Sequence, residues 1–319
     1  MKVILHSCGP EPTRLARMEF TQAALEAAGH ETHLMTAGVG VPRTTWTAAP
    51  AAMILSSSRI NNSLRADLGV PVYAGKTGQK RSELLTLFDS FGVQVAQAAV
   101  VTSVADLQAK LAQFGDVAVF LRPQSSLRAS DLREQSWNEI EFPSAPAEPP
   151  VITAVNRFYR RPVTVTPGQA SYPVLDAPMI AIRDPNPTDG NSFRAVLLFG
   201  QVLLLSRTSE LPLDQRLLAG VNEDGSRAIA WYRTIVERDA NTVTITPTAA
   251  QRTALEAVSN QLTALGYGAV ELELKRAANG NLVLMDFEDG NRVGGRWANE
   301  QVGFLDRFAA AVVAKANAG

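Results

Sequence analysis

The sequence contains very little cysteine and histidine. Cys8 is the only cysteine among 319 residues, and the three histidines are His6, His30 and His33. One thiol excludes an internal disulfide, and these four residues do not have the spacing of a zinc site. This composition is typical of proteins from a reducing compartment, and we expect a cytoplasmic protein.

A strong charge bias and a long apolar run are also missing. The formal net charge is -1, so there is no electrostatic preference for nucleic acid or for an anionic membrane. The longest apolar stretch is AVLLFGQVLLL, which is much shorter than the roughly 18 residues of a membrane-spanning helix. The apolar run at the N-terminus is too short for a signal peptide. We therefore expect no nucleic-acid partner, no membrane partner and no export.

Hydrophobic residues make up 46% of the 319 residues, enough to build two or three compact units. In residues 1–74, short apolar strands alternate with helices, a pattern that indicates a parallel sheet with covered faces. This segment is predicted to be an open α/β domain. His6 and Cys8 follow its first strand, where ligands bind in such sheets, although an isolated pair of this kind more often has a structural role.

Residues 75–178 are predicted to form a second unit. A helix starts near Lys80, and its leucines and phenylalanines recur at helical spacing. A strand–helix–strand segment follows, in which Ser103 is the predicted helix cap. The proline-rich stretch at 143–150 is expected to be a linker or surface loop, because proline is excluded from helix interiors and central strands.

Residues 179–319 are rich in short strands and form a third predicted unit. Two of the strands are expected to form a tight hairpin through Gly200 and Gln201. A helix follows, with Thr246 or Thr248 as its cap. The chain then enters a second predicted hairpin, whose turn is Asn279–Gly280.

Four carboxylates lie close to this second turn. If the turn has two central residues, the register pairs the acids across the hairpin on one face, with apolar side chains on the other. The predicted pairs are Glu273 with Asp286 and Glu271 with Glu288.

Facing carboxylates repel one another, by roughly 3 kcal/mol for unit charges about 5 Å apart at an effective dielectric constant of about 20. A divalent cation would remove this cost, and oxygen ligands without histidine or cysteine favour magnesium or manganese. On this interpretation, an amide substitution should leave the cation-free protein as stable as before or slightly more stable. The alternative is a solvated acidic face whose charge is relieved by Lys275 and Arg276.

The order of these parts resembles that of the ATP-grasp ligases, particularly the RimK-like and glutathione synthetase-like branch. The segments that carry the resemblance are GQKRSELL, VAVFLRP, FRAVLLFGQVLLLSR, AVELEL and LMDFEDGN. The resemblance covers essentially the whole chain, by order and spacing more than by identical motifs. It implies a chain of the α/β and α+β classes, with an open α/β domain at 1–74, a lid at 75–178 and a β-rich ATP-grasp subdomain at 179–319.

The resemblance also implies site residues of three kinds. The metal ligands would be Glu271, Asp286 and Glu288. The nucleotide-binding residues would be Lys80, Arg122 and Asp184. The catalytic residues would be Arg194 and Arg207. For Lys80 and the two catalytic arginines the alternative is an ordinary solvated side chain, at a helix start or at the end of a hairpin.

The sequence departs from the family pattern at three points. Arg122 replaces a lysine, the segment PQSSLRASD has no glycine to cradle phosphate, and Glu288 replaces an asparagine. The resemblance implies an ATP- and Mg²⁺- (or Mn²⁺-) dependent ligase that joins a small-molecule carboxylate to an amine through an acyl phosphate. It is also compatible with a homo-oligomer, which is frequent among such ligases. The alternative is a non-catalytic nucleotide-binding or interaction protein on a degenerate ATP-grasp scaffold.

Overall fold

The protein is described by a computed structural model, which covers most of the chain in several ranges. These are residues 1–7, 12–36, 53–115, 119–124, 137–141, 151–155, 163–165, 171–173, 178–209, 240–290 and 293–319. Cys8, the proline-rich stretch at 143–150 and most of the glycine-free stretch at 123–131 lie outside the described residues. Within the described ranges, no helix has the length and apolar character needed to cross a membrane.

The N-terminal sheet is parallel, with strand order β2-β1-β3-β4. Its elements are β1 (Lys2–His6), α1 (Pro12–Ala27), β2 (Glu31–Met35), β3 (Met53–Ile60), α2 (Asn62–Leu68) and β4 (Val72–Lys76). Because side chains alternate along a strand, Val3 and Leu5 pack with α1 whereas Ile4 packs with α2. The predicted parallel sheet with helices on both faces is confirmed.

The middle of the chain contributes an antiparallel sheet with strand order β5-β11-β6-β9. The elements around it are α3 (Arg81–Ser90), β5 (Ala98–Val101), α4 (Val104–Gln113), β6 (Val119–Pro123), β9 (Val163–Val165) and β11 (Met179–Arg183). Ser103 caps α4 as predicted, since its hydroxyl accepts a hydrogen bond of 3.1 Å from the backbone N–H of Asp106. A separate sheet with the order β10-β7-β8 contains β7 (Trp137–Glu141), β8 (Val151–Val155) and β10 (Ser171–Pro173).

The C-terminal sheet is antiparallel, with strand order β14-β13-β12-β15-β16. Its elements are β12 (Asn191–Leu198), β13 (Gln201–Ser209), β14 (Thr242–Thr244), α5 (Ala249–Ala264), β15 (Val270–Arg276), β16 (Leu282–Asp289), α6 (Gly295–Asn299) and α7 (Phe304–Asn317). Thr248, one of the two predicted caps, begins α5 through a capping box with Gln251.

The packing of the C-terminal sheet leaves one face for polar residues. Its apolar face is buried against α5 and α3, through side chains such as Leu255 and Leu262 of α5 and Phe88 of α3. At one end of the opposite face, Val196 and Leu204 pack in the cluster that also contains residues of α1 and α7. This cluster joins the N-terminal sheet to the C-terminal sheet, and the remainder of that face is free for charged side chains.

The turn of the first hairpin lies one residue earlier than predicted. Its central residues are Phe199 and Gly200, both in the left-handed region with φ of 48° and 79°, and Leu198 pairs with Gln201. Two successive positive φ values define a type I′ turn, whose twist matches that of the flanking strands. Gly200 has the positive φ that favours glycine, and a Cβ atom there would lie 2.3 Å from Asn260 Oδ1 of α5, so a larger residue would also require the Asn260 side chain to move.

The turn of the second hairpin is one residue longer than predicted. The backbone N–H of Gly280 donates to the carbonyl of Ala277 at 2.9 Å, and Gly280 has a φ of 86°, so the loop has three residues, 278–280. Such a loop alone would shift the register. The shift is cancelled by a β-bulge at Met285, because Leu274 pairs with Leu284 and the next pair skips Met285.

Candidate active site

Polar side chains from five neighbouring strands share one face of the C-terminal sheet. Cross-strand partners point to the same side of a sheet, and the register pairs Arg194 with Ser206 on one side and with Glu273 on the other. The same rule identifies the other polar residues on this face. The face carries Arg194, Ser206, Thr208, Thr242, Glu271, Glu273, Asp286 and Glu288.

The predicted acid pairs are confirmed. Glu271 lies opposite Glu288, and Glu273 lies opposite Asp286. The longer turn and the bulge have opposite effects on the register, so the pairing expected from a two-residue turn is the one observed. All four carboxylates therefore lie on one face, although Glu271 and Asp286 are each only 3% exposed.

Asp286 is bound by two arginines from different parts of the chain. The Nε atom of Arg81, at the start of α3, lies 3.1 and 3.2 Å from its two carboxylate oxygens. Arg122, on β6, donates to Asp286 through one terminal nitrogen and to Glu273 through the other, at 2.6 Å. Burial by itself raises the pKa of Asp286, but the guanidinium groups of Arg122 and Arg81 outweigh it and hold that pKa below its ordinary value.

Glu271 is positioned by a backbone group and by a third arginine. One of its carboxylate oxygens accepts a hydrogen bond of 2.7 Å from the N–H of Gly294. The other lies 3.3 Å from a terminal nitrogen of Arg194, whose second terminal nitrogen is 3.7 Å from Glu273. Gly294 has a φ of 71°, and a Cβ atom there would lie 2.7 Å from the Cβ of Ala298, so glycine is required where the backbone meets Glu271.

Glu288 has the least compensation of the four acids. Its carboxylate makes no hydrogen bond and no ion pair with any residue in the described part of the chain. Burial, followed by the neighbouring charges of Glu271 and Glu273, raises the pKa of Glu288 to about 7. Its carboxylate oxygens are therefore the ones on this face that have no described protein partner.

The negative charge of these four carboxylates, here called the acid face, is balanced by other residues than the sequence led us to expect. Repulsion among the acids was expected to persist until a cation arrives, with Lys275 and Arg276 as the alternative source of positive charge. Instead, Arg81, Arg122 and Arg194 provide it. With these partners we expect, contrary to the sequence-based expectation, that an amide at position 286 lowers the stability of the cation-free protein, because it would leave two guanidinium groups without their charged partner.

Glu288 provides a prediction about pH. Its pKa in the folded protein is about 7 and its ordinary value is 4.5, so between these pH values the folded protein retains a proton that the unfolded chain has released. The stabilising contribution is complete below pH 4.5 and is lost as the pH rises through about 7. In urea denaturation of metal-free protein, the wild type should lose about 2 kcal/mol relative to Glu288→Gln between about pH 5 and pH 8. If the free energies of unfolding of the two proteins differed by the same amount at both pH values, burial of the Glu288 carboxylate would have no such cost.

Three other predicted site residues do not join this face. Lys80 occupies the N-cap position of α3, where its backbone N–H donates to the Glu83 carboxylate at 3.1 Å; its side chain is largely exposed, and its Nζ lies 3.9 Å from Glu83. Arg207 pairs with Phe193 across the strands and so lies on the opposite face of the sheet from Arg194. Asp184 is buried beside Lys275, with Nζ to carboxylate oxygen at 3.4 Å. Their roles in binding or catalysis stay predictions.

The structure also brings in residues that sequence reasoning missed. Arg81 follows Lys80 directly. Lys80 is the N-cap residue and Arg81 the first residue of α3, and of the two it is Arg81 whose side chain contacts Asp286. Arg59 pairs with Asp289 at the end of β16, and the backbone N–H of Lys76 donates to the same carboxylate at 2.9 Å. The acidic run containing Asp289 was visible in the sequence, but its basic partners come from distant segments.

A recess lies beside the acid face. It is lined by Arg194, Ser206, Thr208, Thr242, Glu271, Gly294 and Trp297, together with two aliphatic side chains. The hydroxyl groups of Thr208 and Thr242 lie 2.8 Å apart and form a hydrogen bond. The recess therefore brings together the guanidinium group of Arg194, the Glu271 carboxylate with which it pairs, and a hydroxyl-lined wall.

Whether this face could bind a metal ion depends on the types of ligand atoms it offers and on how those side chains are arranged. Carboxylate oxygens without nitrogen or sulfur ligands suit a hard cation such as Mg²⁺, and Glu288 has oxygens that no described residue occupies. Among the described residues, however, no three aspartate, glutamate, histidine or cysteine side chains form a group that could hold a metal ion. The ligand types fit, whereas Asp286 is turned toward two arginines.

No protein-family model and no curated protein sequence matches this chain. Among solved structures, the RimK domain ATP-grasp protein from Sphaerobacter thermophilus is similar over 98% of this chain and 99% of its own, at 14% identity and a TM-score of 0.53.

Two further similar structures are ligases. The ATP-grasp ligase PsnB, complexed with a precursor variant, Mg and ADP, covers 98% of each chain at 13% identity and a TM-score of 0.54. The D-cycloserine synthetase DcsG covers 98% of this chain and 99% of its own, at 11% identity and a TM-score of 0.52. At these identities the likeness concerns the fold. The chain therefore has the fold of the ATP-grasp ligases, as the order of its sequence segments indicated.

Proposed function

We propose that this protein is an ATP-dependent ligase that joins a carboxylate to an amine. The observation that carries the proposal is the face on which Arg122, Arg194 and the acid pairs meet, within a chain of the ATP-grasp fold. Ligases of this fold are similar over nearly the whole chain, and PsnB is described with Mg and ADP. A planar guanidinium group with two paired donors suits the oxygens of phosphate and carboxylate groups.

The proposed reaction has two steps. A carboxylate oxygen of the first substrate attacks the γ-phosphorus of ATP, and ADP leaves with the electron pair of the broken P–O bond. The amine of the second substrate then attacks the carbonyl carbon of the acyl phosphate, inorganic phosphate leaves, and the nitrogen loses a proton. Amide formation is thereby coupled to ATP cleavage, without a covalent intermediate on the protein.

The residues of the acid face have distinct proposed roles. Arg122 would bind the phosphates of the nucleotide, and Arg194 would orient the substrate carboxylate beside the hydroxyl-lined recess. Glu271, Asp286 and Glu288 would hold magnesium, which when bound neutralises charge on the β- and γ-phosphates. Arg81 would fix the orientation of Asp286.

A second function is favoured by one specific observation. Asp286 already has two guanidinium partners, which is the arrangement expected if a scaffold has lost its metal and retained a structural ion pair. On that interpretation the protein is a non-catalytic nucleotide-binding or interaction protein. The two functions differ in whether nucleotide cleavage depends on both substrates.

The test is ADP formation with a panel of small carboxylates and amines, supplied separately and together. The ligase is expected to release ADP only when a matching pair is present, and Arg194→Met should lower the rate at least about a hundredfold. The matched control is Arg296→Met, since Arg296 is a surface arginine, 83% exposed, that pairs with Glu300. Tight nucleotide binding without turnover on any pair would support the second function. Absence of binding of any nucleoside triphosphate with Mg²⁺ would exclude the ligase and a nucleotide-binding role, and would leave only the interaction protein.

A further inference from the structure

Arg17 connects helix α1 of the N-terminal domain to the backbone at the start of α6. The residue is buried, with only 6% of its surface exposed. Its Nη1 donates to the carbonyl of Val293 at 3.0 Å, and its Nη2 lies 3.5 Å from the carbonyl of Gly295. These two residues flank Gly294, whose N–H holds the carboxylate of Glu271. The guanidinium group therefore binds on both sides of the residue that contacts the acid face.

The contact with Val293 fixes the direction of the Gly294 N–H. In a trans peptide, the carbonyl of Val293 and the N–H of Gly294 belong to one planar group and point in opposite directions. Arg17 holds the oxygen of this group at 3.0 Å, and Glu271 accepts its hydrogen bond at 2.7 Å. A peptide group between a cation and a carboxylate is polarised by both, so each hydrogen bond strengthens the other. Rotation of the group would break both contacts.

The backbone of this segment has little conformational preference of its own. Gly294 and Gly295 have φ of 71° and 51°, both in the left-handed region. Because glycine adopts many other conformations at little cost, two successive glycines do not fix the orientation of a peptide group by themselves. Arg17 provides this constraint from outside the segment.

Arg17 is itself held by two helices of the C-terminal part. Asn299 of α6 accepts hydrogen bonds from its Nε at 3.0 Å and its Nη2 at 2.7 Å, and donates in turn to the carbonyl of Thr13 at 2.7 Å. The guanidinium carbon lies 5.1 Å and 5.3 Å from the ring centres of Phe304 and Phe308 on α7, within the range of a cation–π attraction. These contacts leave the guanidinium group little freedom to move.

We propose that Arg17 is a positioning residue of the candidate active site, which acts through Gly294 on Glu271 and Arg194. This inference rests on the proposed function. Glu271 has one oxygen held by Gly294 and presents the other to Arg194 at 3.3 Å, and Arg194 is the residue proposed to orient the substrate carboxylate. Arg17 acts through these contacts rather than on the substrate. The N-terminal domain thereby sets the geometry of a site on the C-terminal sheet.

The first experiment follows the amide signal of Gly294 by NMR. The sequence has three valine–glycine pairs, which end at Gly40, Gly294 and Gly303, so ¹³C-carbonyl valine with ¹⁵N-glycine selects three amide signals. The Gly294 proton should resonate downfield because its acceptor is charged, and Glu271→Gln should move it upfield and so identify it. Arg17→Met should also move it upfield, with the Gly303 signal unchanged. Arg17→Lys keeps the charge without the paired donors and should move it as well, and it serves if the methionine variant does not fold.

The second experiment measures ADP formation by the same proteins. Arg17→Met should lower kcat/KM for the carboxylate substrate at least about tenfold, because displacement of the groups that orient a substrate slows the reaction. The KM for ATP should change by less than about twofold, since the nucleotide is proposed to bind at Arg122, which contacts Asp286 and Glu273 instead. A general loss of stability would not separate the two substrates in this way.

The matched control is Arg65→Met. Arg65 on α2 also joins the N-terminal domain to the C-terminal part, because it donates to the carbonyls of Val72 at 2.9 Å and of Gly266 at 2.8 Å. Gly266 lies before β15, away from the segment that Arg17 holds. The control should lose stability, leave the Gly294 signal in place and keep turnover within about twofold of wild type.

The outcomes separate this inference from the proposed function. An unmoved Gly294 signal in both Arg17 variants, or the same movement in Arg65→Met, would overturn the inference whatever the activities are. A moved signal with wild-type turnover would overturn it too, because the position of Gly294 would then have no effect on the reaction. Wild type without turnover on any substrate pair would overturn the proposed function, whereas the Gly294 signal would still decide whether Arg17 positions this segment.

Discussion

Replacing Asp286 with asparagine is expected to reduce ATP turnover to about 1% of wild type or less and to lower the stability of the protein. If the protein is the proposed ligase, the amide would have no charge with which to hold a cation at the phosphates, and the step that depends on their neutralisation would be lost. The same change leaves Arg81 and Arg122 facing a neutral group at a position that is 3% exposed. Breaking a buried ion pair from one side costs about 3 kcal/mol or more.

The matched control for this variant is Glu273→Gln. Glu273 shares the face and also contacts Arg122, but its side chain is 18% exposed and it has no counterpart among the family's metal positions. The glutamine variant should therefore retain more activity and lose less stability than Asp286→Asn. Initial rates of ADP formation and urea denaturation measure the two effects separately. An inactive Glu273→Gln protein beside an active Asp286→Asn protein would show that the ligand assignment within the hairpin is wrong.

The acid face could be predicted from the sequence because its determinants are local. Strand alternation and one glycine-containing turn decide which residues of a hairpin share a face. The turn was predicted one residue too short, and the bulge at Met285 was not predicted at all. The acid pairs were nevertheless right because the buried side chains on the other face admit only one register.

The basic partners of the acids could not be predicted in the same way. Arg81 and Arg122 precede Asp286 by 205 and 164 residues, so their contacts depend on how separate sheets pack. Helical periodicity indicates that a helix begins near Lys80, but an uncertainty of one residue at a helix start changes which side chain points inward. The sequence therefore predicted the negatively charged residues of this face, but most contacts of the positively charged residues with them were missed.

The order of elements was predictable for a different reason. Alternation of apolar strands and helices identifies a parallel sheet, and runs of strands with short turns identify an antiparallel one. The N-terminal and C-terminal sheets follow these patterns, whereas in the middle sheet β11 lies between β5 and β6 and is antiparallel to both, although β5 and β6 belong to a strand–helix–strand segment. The connections between the sheets were not predictable, because the cluster of α1, α7, β12 and β13 involves residues far apart in the chain.

Removal of the Lys275 side chain is expected to produce the largest loss of stability. Lys275 and Asp184 form an ion pair whose side chains are 4% and 0% exposed, and Nζ of Lys275 also donates to the carbonyl of Asp189 at 2.7 Å. Lys275→Met leaves the carboxylate of Asp184 without this cation in a buried position, at a cost of about 3–5 kcal/mol. Urea denaturation at neutral pH measures the loss.

Two further variants make this prediction specific. Lys2→Met removes a cation from a pair with Glu31, whose side chain is 69% exposed, and should cost less than about 1 kcal/mol. The double variant Lys275→Met with Asp184→Asn also removes the charge of Asp184 and should recover part of the stability that the single variant loses.

The double variant also tests the predicted nucleotide-binding role of Asp184. Unchanged nucleotide affinity in the folded double variant would make Asp184 purely structural, whereas a loss of affinity would support that role. If Lys275→Met cost no more than Lys2→Met, the buried pair would not stabilise the loop that leads into the strand of Arg194.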